Sequence, residues 1–435
     1  MARGLDETTS AAPPDENDEP VAPARKSAIR SLRNRNFRLY LTGQVISQTG
    51  NWFQITAEMW LILLITDSGT AIGVHSVLRF GPLLLLGIPA GLVTDRFDHL
   101  KLLAWTQGVT GVTAVVLAVA SFSSSPSLLL VYATVLARGI VFAIDNPLRR
   151  GFVRDLVSDT ELTNAVSLNS SANTVARSLG PAISGITISS AGVAWCFTIN
   201  ALSFIPVIVT LLMLDRSQLR PAQIVGRAKG QVREGLRYAW RSRRIRRTLI
   251  MVTVLGLYPL NWIVILPVYA TDTFGGDSSL FGFLTSVMAV GAFVGAAVLA
   301  RLNTIAGAHF RIVGALMALS FAVLAAVPVL WIAIAGLALL GAAGTSFQIA
   351  ANSRLQHEAD DSMSGRILAI YSVALIGTRP IGGLVTGVVV EHSGPQVAFG
   401  ISSAIVIVIV LTVAFGPASR ARLSSRALRR PAPRS

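Results

Sequence analysis

Runs of about twenty apolar residues recur along this chain from Tyr40 to Ala414, separated by short polar connections. Twenty residues of helix rise about 30 Å, the depth of a bilayer's hydrocarbon core, and a segment crossing lipid must satisfy its own backbone. The repetition predicts an all-α membrane protein with twelve spans, at residues 40–65, 71–93, 101–121, 127–148, 165–190, 194–214, 249–271, 279–301, 309–328, 331–353, 365–390 and 396–416. A composition of 52% hydrophobic and only 14% charged residues excludes a soluble enzyme. The net charge of +15 does not point to nucleic acid, because the basic residues gather in alternate connections. All but four of the 37 Lys and Arg residues fall on one side or at the helix ends facing it, and the opposite loops carry none. By the positive-inside rule that side is cytoplasmic, as are both termini.

The charge distribution also divides the chain. Asp215–Arg247 carries 11 basic residues between long apolar segments. Within it Val232, Leu236, Ala239 and Trp240 alternate with Arg233, Arg237, Arg241 and Arg244 at helical spacing. Such a helix can lie on a membrane surface with its arginines at anionic head groups, or be a solvated linker. The expected segments are a disordered cytoplasmic tail (1–36), a six-helix half (37–214), the linker (215–247), a second half (248–417) and a basic tail (418–435). The first tail lacks an apolar core, so no cleavable signal is expected.

The two halves repeat. Asn51-Trp52 returns as Asn261-Trp262, Asp67-Ser68 as Asp277-Ser278, and Gly87 and Gly91 as Gly291 and Gly295. Arg177, Gly180 and Gly185 return as Arg379, Gly382 and Gly387. Parallel six-span repeats place a substrate site between the halves near the midplane.

Polar residues inside spans mark candidates for that site. In the first span Gln44, Gln48, Asn51 and Glu58 form a stripe, with Ser47 and Gln54 adjoining, and the stripe predicts a helix facing a water-filled cavity. The four arginines not on the basic side, Arg79, Arg138, Arg177 and Arg379, lie within spans and make the cavity positive, which suits an anionic substrate. Arg177 and Arg379 could instead brace helices through backbone carbonyls. Glu58 and Arg79 both lie about 12–14 Å below the outer surface, so they are expected to pair, with His75 one turn outward. Paired so, Glu58 is a candidate proton-coupling residue, and Asp145 is the other. The substrate cavity is thus expected to draw on Gln48, Asn51, Glu58, Arg79, Arg138, Arg177, Asn261 and Arg379.

At these residues the chain resembles the major facilitator superfamily. The loop Gly91-Leu92-Val93-Thr94-Asp95-Arg96-Phe97-Asp98-His99-Leu100-Lys101 is similar to its Gly-x-x-x-Asp-Arg-x-Gly-Arg-Arg/Lys signature, departing from it at Asp98 and His99. The resemblance implies a conformational latch of Gly91, Asp95, Arg96 and Asp145. In it Asp95 would meet the start of the eleventh span near Gly365, and Arg96 would meet Asp145. Gly180, Pro181 and Gly185 resemble the helix-packing motif of drug–proton antiporters. Together with Ser47–Trp52 and Asp145-Asn146-Pro147, they are most like the branch of enterobactin exporters and macrolide efflux pumps. That branch implies proton-coupled, alternating-access export of a siderophore or drug-like molecule across the bacterial plasma membrane. Its implied partners are substrate, protons and anionic lipids, with a monomer as the working unit and no nucleic acid. An importer of a small nutrient and a facilitator-fold sensor are the alternatives. No His-Glu-x-x-His, Gly-x-Ser-x-Gly or phosphate-binding Gly-x-x-x-x-Gly-Lys motif occurs, so no enzyme, metal or cofactor is expected. The single cysteine, Cys196, excludes an intramolecular disulfide.

Overall fold

The computed structural model describes residues 29–123, 126–220, 231–301 and 307–414, so most of both expected tails lies outside the described residues. The first half contains α1 (Arg35–Thr66), α2 (Gly69–Arg96), α3 (His99–Ser121), α4 (Leu128–Leu156), α5 (Asp159–Ala191) and α6 (Val193–Leu212). A short α7 (Gln231–Arg241) precedes the second half. That half contains α8 (Arg243–Leu257), α9 (Trp262–Val268), α10 (Ser278–Ala300), α11 (Gly307–Ala326), α12 (Leu330–Glu358), α13 (Asp361–Ile376) and α14 (Arg379–Ala414). No strand occurs among the described residues.

Among the described residues nine segments are long and apolar enough to cross a membrane on hydropathy alone. The polar stripe of α1 and the Ser/Thr/Asn-rich α5 fall short of that measure, yet both are full-length helices. The segment Met363–Thr412 holds two crossings, because Gly394 reverses the chain inside α14 at φ 83°. The described helices thus make the twelve crossings that the sequence predicts. Their ends follow local chemistry. The side chains of Asn34, Asp98, Ser242 and Asp277 accept backbone N–H bonds at the starts of α1, α3, α8 and α10. Gly192, at φ 93°, turns the chain between α5 and α6.

The seventh crossing departs from the expected continuous span 249–271. It breaks at Tyr258 into a 3₁₀ turn, Pro259–Asn261, resumes as α9, and ends in a π turn at Tyr269–Thr273. Pro259 has no N–H to continue the ladder, and Asn261 offers its side-chain amide to the carbonyls of Gly256, Leu257 and Tyr258 instead. Asn261 is 3% exposed. It is a brace for broken backbone and not the cavity residue the repeat suggested.

The halves meet along two seams, each built from small residues. On the first, Gly69, Gly73 and Ser76 of α2 lie against Gly387 and Gly383 of α14; a Cβ at Gly73 would come within 2.8 Å of the Gly383 carbonyl oxygen. On the second, Gly185 and Pro181 of α5 lie against Ser278 and Gly282 of α10. Lipid supplies no hydrophobic force between helices, so close backbone approach through small residues must hold them by packing. Glu391 adds a polar tie at the far end of the first seam, accepting from Ser68 Oγ at 2.6 Å and Thr70 N at 2.9 Å. These contacts lie in the parts of the helices farthest from α7. Toward the α7 side α2 leaves α13 beyond Leu84, and Leu85 is 79% exposed. The space between the halves therefore opens on the side of α7 and the basic loops.

The linker helix is docked, not free. Glu234 pairs with Arg366 of α13 at 2.6 Å, and the Asp360 N–H donates to the Tyr238 hydroxyl at 3.1 Å. Ala239, expected on a lipid-facing stripe, is fully buried against the protein, whereas Leu236 and Trp240 stay exposed beside Arg233, Arg237 and Arg241.

Candidate functional site

The α1 stripe splits into two faces. Gln44, Ser47, Gln54 and Glu58 are buried between helices, while Gln48 and Asn51 remain partly open. At the buried end Glu58 is fully enclosed. Its Oε1 accepts from Gln54 Nε2 at 2.7 Å and from Arg138 Nη1, and its Oε2 contacts His75 Nε2 at 3.0 Å. Arg138 reaches onward to Asn51 Oδ1 at 3.1 Å, and Asn51 donates to Gln48 Oε1 at 3.3 Å. Gln54 also accepts from Asn200 of α6. A chain of polar groups thus runs from a sealed carboxylate to the partly open face of α1.

The expected Glu58–Arg79 pair does not form. Arg138 of α4 takes the carboxylate, and the Arg79 guanidinium sits 5.6 Å above the Phe142 ring. Rotation about each helix axis decides the partner, and rotation points Arg138 inward at Glu58. His75 touches Glu58 directly, on the opposite carboxylate oxygen from Arg138.

This arrangement can hold a proton in two places. With Glu58 ionised, the hydrogen in the Glu58–His75 contact sits on His75 Nε2. Protonated Glu58 could instead donate to a bare Nε2. His75 Nδ1 is buried with no hydrogen-bond partner, so the ring's one polar contact is the one to Glu58. Asn200 is the member the sequence did not name; Gln54 was read as adjoining the stripe and His75 as lying one turn outward of Arg79, neither as a direct partner of Glu58. Gln54 stands one turn before Glu58 on the same helix, which was the available signal.

Asp145, the other proton candidate, is held by Arg149 one turn on, by Thr106 Oγ1 at 2.8 Å and by Gln107 Nε2 at 3.0 Å. Arg149 also donates to Gln44. The expected Arg96–Asp145 contact is not made, and Arg96 is exposed. An i,i+4 arginine on Asp145's own helix outcompetes one at the end of a neighbouring helix of the same half. The surroundings of Gly91 and the side chain of Asp95 lie outside what the structure describes, and so do the latch contacts expected of them. His99, where the latch signature has a basic residue, contacts Asp155 at 2.6 Å.

Arg177 and Arg379 lie deeper toward the open side. Each sits one helical turn from a seam residue, Arg177 before Pro181 and Arg379 before Gly383. They come from opposite halves, within electrostatic reach of each other. Arg379 lies 5.4 Å over the Phe80 ring. Among the described residues no carboxylate pairs with Arg79, Arg177 or Arg379, and the Nε atoms of Arg177 and Arg379 are buried without a partner. A Cβ at Gly180 would strike Trp52 of α1, and Pro181 and Gly185 form the α5–α10 seam. Toward the open side a cavity of about 300 Å³ is lined by Gln348, Ile349, Asn352, Ser353 and Gln356 of α12 and Tyr371 of α13. No group of His, Cys, Asp and Glu among the described residues is placed to hold a metal.

The sequence matches the model of a family described as transmembrane secretion effector over residues 26–429. It is 28% identical over 264 residues to the staphyloferrin A transporter of Staphylococcus aureus, covering 58% of this chain and 64% of that transporter's length. Against the enterobactin exporter of Shigella flexneri the identity is 24% over 334 residues, covering 75% of this chain and 78% of the exporter. Among solved structures a variant of the nucleoside transporter NupG superposes with a TM-score of 0.71 at 14% identity, over 87% of this chain and 98% of that one, which speaks to the fold alone.

Proposed function

The chain belongs to the transmembrane secretion effector family, a multi-pass major facilitator group, and from that premise we propose that it is a secondary transporter exporting a small anionic or amphipathic molecule, siderophore- or drug-like. The membrane is the bacterial plasma membrane, with α7 and both termini in the cytoplasm. The observation that carries the reading is the juxtaposition of two charge sets. A sealed acid, Glu58 with His75 and Arg138, lies within the first half, and Arg177 and Arg379, without carboxylate partners among the described residues, stand one turn from the seams on the side toward α7. The first can hold a proton, and the second can attract an anion.

In this reading the cytoplasm loads the cavity in the present state, and transport requires the outer seams to part. Opening them breaks the Glu391 bonds to Ser68 and Thr70 and brings the inner end of α2, which carries Gly91, Asp95 and Arg96, against the second half. A proton arriving from outside then loosens Glu58 from Arg138, and the change in pairing couples to the rocking of the halves. Asp145 belongs to a closed set of bonds on the inner side and is the weaker candidate for coupling. The protein works as a monomer. Exposed Leu236 and Trp240, flanked by Arg233, Arg237 and Arg241, support contact of α7 with anionic lipid of the inner leaflet.

The test is transport by proteoliposomes of known orientation. Substrate should accumulate in inside-out vesicles under an inward-acid gradient, and Glu58→Gln should lose pH-driven transport while keeping substrate exchange. Accumulation only in right-side-out vesicles would establish the importer instead. Persistent pH-driven transport in Glu58→Gln would leave the cluster as structure only.

A further inference from the structure

We propose that Arg177 and Arg379 are the two arms of an anion clamp, one on each half, that takes a molecule carrying two or more carboxylate-like groups. The proposal rests on the reading of this cavity as the substrate site and names what binds there.

Three observations converge. The first is position: each arginine stands one turn inward of a close contact between halves, Pro181 on Gly282 for α5 and Gly383 on Ser76 for α14. On the α14 side one further contact, Gly377 against Leu84, follows before the halves part, so both arginines lie next to the place where the halves diverge. The second is bonding. An arginine that braces helices donates to backbone carbonyls, yet among the described residues neither guanidinium makes a hydrogen bond or an ion pair, and both Nε atoms are buried and unpartnered. Buried donors without acceptors are costly, and a guanidinium has five. The third is charge: the two arginines are like charges contributed by opposite halves, and no acid among the described residues pairs with either.

A planar guanidinium matches a carboxylate with two parallel hydrogen bonds. A single carboxylate satisfies one arm and leaves the other exposed to its like-charged neighbour. A molecule with two carboxylates satisfies both and replaces a repulsion between the halves with an attraction to a shared ligand. Such a ligand binds more tightly when the halves draw together on the inner side than when they stand apart, so its binding favours closure there. Phe80 under Arg379 keeps that arm's face apolar and its edge free for the ligand.

The experiment is thermal unfolding of the purified full-length protein in micelles at fixed ionic strength, titrated with acetate, glutarate, tricarballylate and the trimethyl ester of tricarballylate. The midpoint should rise with glutarate and more with tricarballylate, far less with acetate at equal carboxylate concentration, and not with the ester. Arg177→Gln and Arg379→Gln should each raise the concentration needed at least tenfold. Without ligand their midpoints should stay level or rise, because a repulsion is removed. Arg379→Glu, which can pair with Arg177, should be stabilised without ligand and blind to the polyanions. An insensitive wild type, an unchanged titration in the single variants, or a fall in the unliganded midpoint of both neutralised variants would each overturn the clamp, the last in favour of helix braces. Binding is read here without transport. Import of a polycarboxylate bound through both arginines would therefore sink the export reading alone, and arginine-independent export would sink the clamp alone.

Discussion

The two halves share a sequence pattern and have put it to different uses. Asn51 in the first half lies in an unbroken α1 and hands its side chain to Gln48 and Arg138. Its counterpart Asn261 sits at the break of the seventh crossing, turned back on three carbonyls of its own chain. The shift that carries Asn51 onto Asn261 carries Glu58 onto Val268, which is buried among apolar neighbours. The first half thus holds the sealed acid and its partners, while the second holds an interrupted helix. Repeated pattern predicts repeated topology. It does not predict repeated chemistry, because a few polar residues set the chemistry and drift freely once the packing is fixed.

The sharpest way to break the comparison is to remove the acid. Glu58→Ala should strand Arg138 and His75 in a dry site, and losing one partner of a buried ion pair costs about 3–5 kcal/mol. Denaturant unfolding in micelles would read the loss. The double variant Glu58→Leu with Arg138→Met should recover most of it, since an apolar pair of similar volume is often tolerated. A single variant as stable as the parent would mean that the cluster does not hold the first half together.

Next in size is the brace. Asn261→Ala leaves three carbonyls of the broken crossing without their donor, for a cost of about 1–3 kcal/mol. Asn51→Ala removes a link between a partly open residue and Arg138, so it should cost less stability and more transport. Equal stability losses in the two variants would erase the functional distinction between the halves.

The twelve crossings and the repeat were legible because hydropathy and residue spacing act along the chain. Even α1 and α5, too polar for a hydropathy criterion, were readable from the polar stripe and from the Gly180-Pro181 motif. What stayed hidden depends on rotation about helix axes and on which side of the molecule is open. Depth arithmetic brought Glu58 level with Arg79 but could not tell that Arg138 would point at it. The break at Tyr258 had a signal in Pro259, yet Pro267 and the prolines inside α2, α4, α5 and α6 sit in helices that continue past them. Proline alone marks where a helix can break, and the neighbouring Asn261 decides that this one does. Asp145 had its partner in plain view at Arg149, one turn along, and the resemblance to a family latch pointed to the neighbouring helix instead.

The smallest expected effect falls on the tie between the halves at their outer end, and it carries a pH signature. Glu391 lies exposed in the turn outside the membrane that joins the last two crossings. The Ser68 hydroxyl, then the Thr70 hydroxyl and N–H, hold its carboxyl well below the ordinary 4.5, at about 2. Those donors belong to the start of α2 in the other half, so the depression exists only while the outer seam is closed. The sign follows from linkage: a group whose pKa is lowered in one state favours that state above its ordinary pKa. Glu391 should therefore hold the outer side shut above about pH 4.5 and lose that grip as pH falls toward 2. Being exposed, a carboxylate at a helix start contributes only about 0.3–1 kcal/mol. Glu391→Gln should produce, at neutral pH, a modest rise in labelling of a cysteine placed at Val390, and should flatten the acid dependence of that labelling. Identical acid dependence in the variant would move the outer lock away from this carboxylate and leave the Gly73–Gly383 and Gly185–Gly282 packing to hold the seams alone.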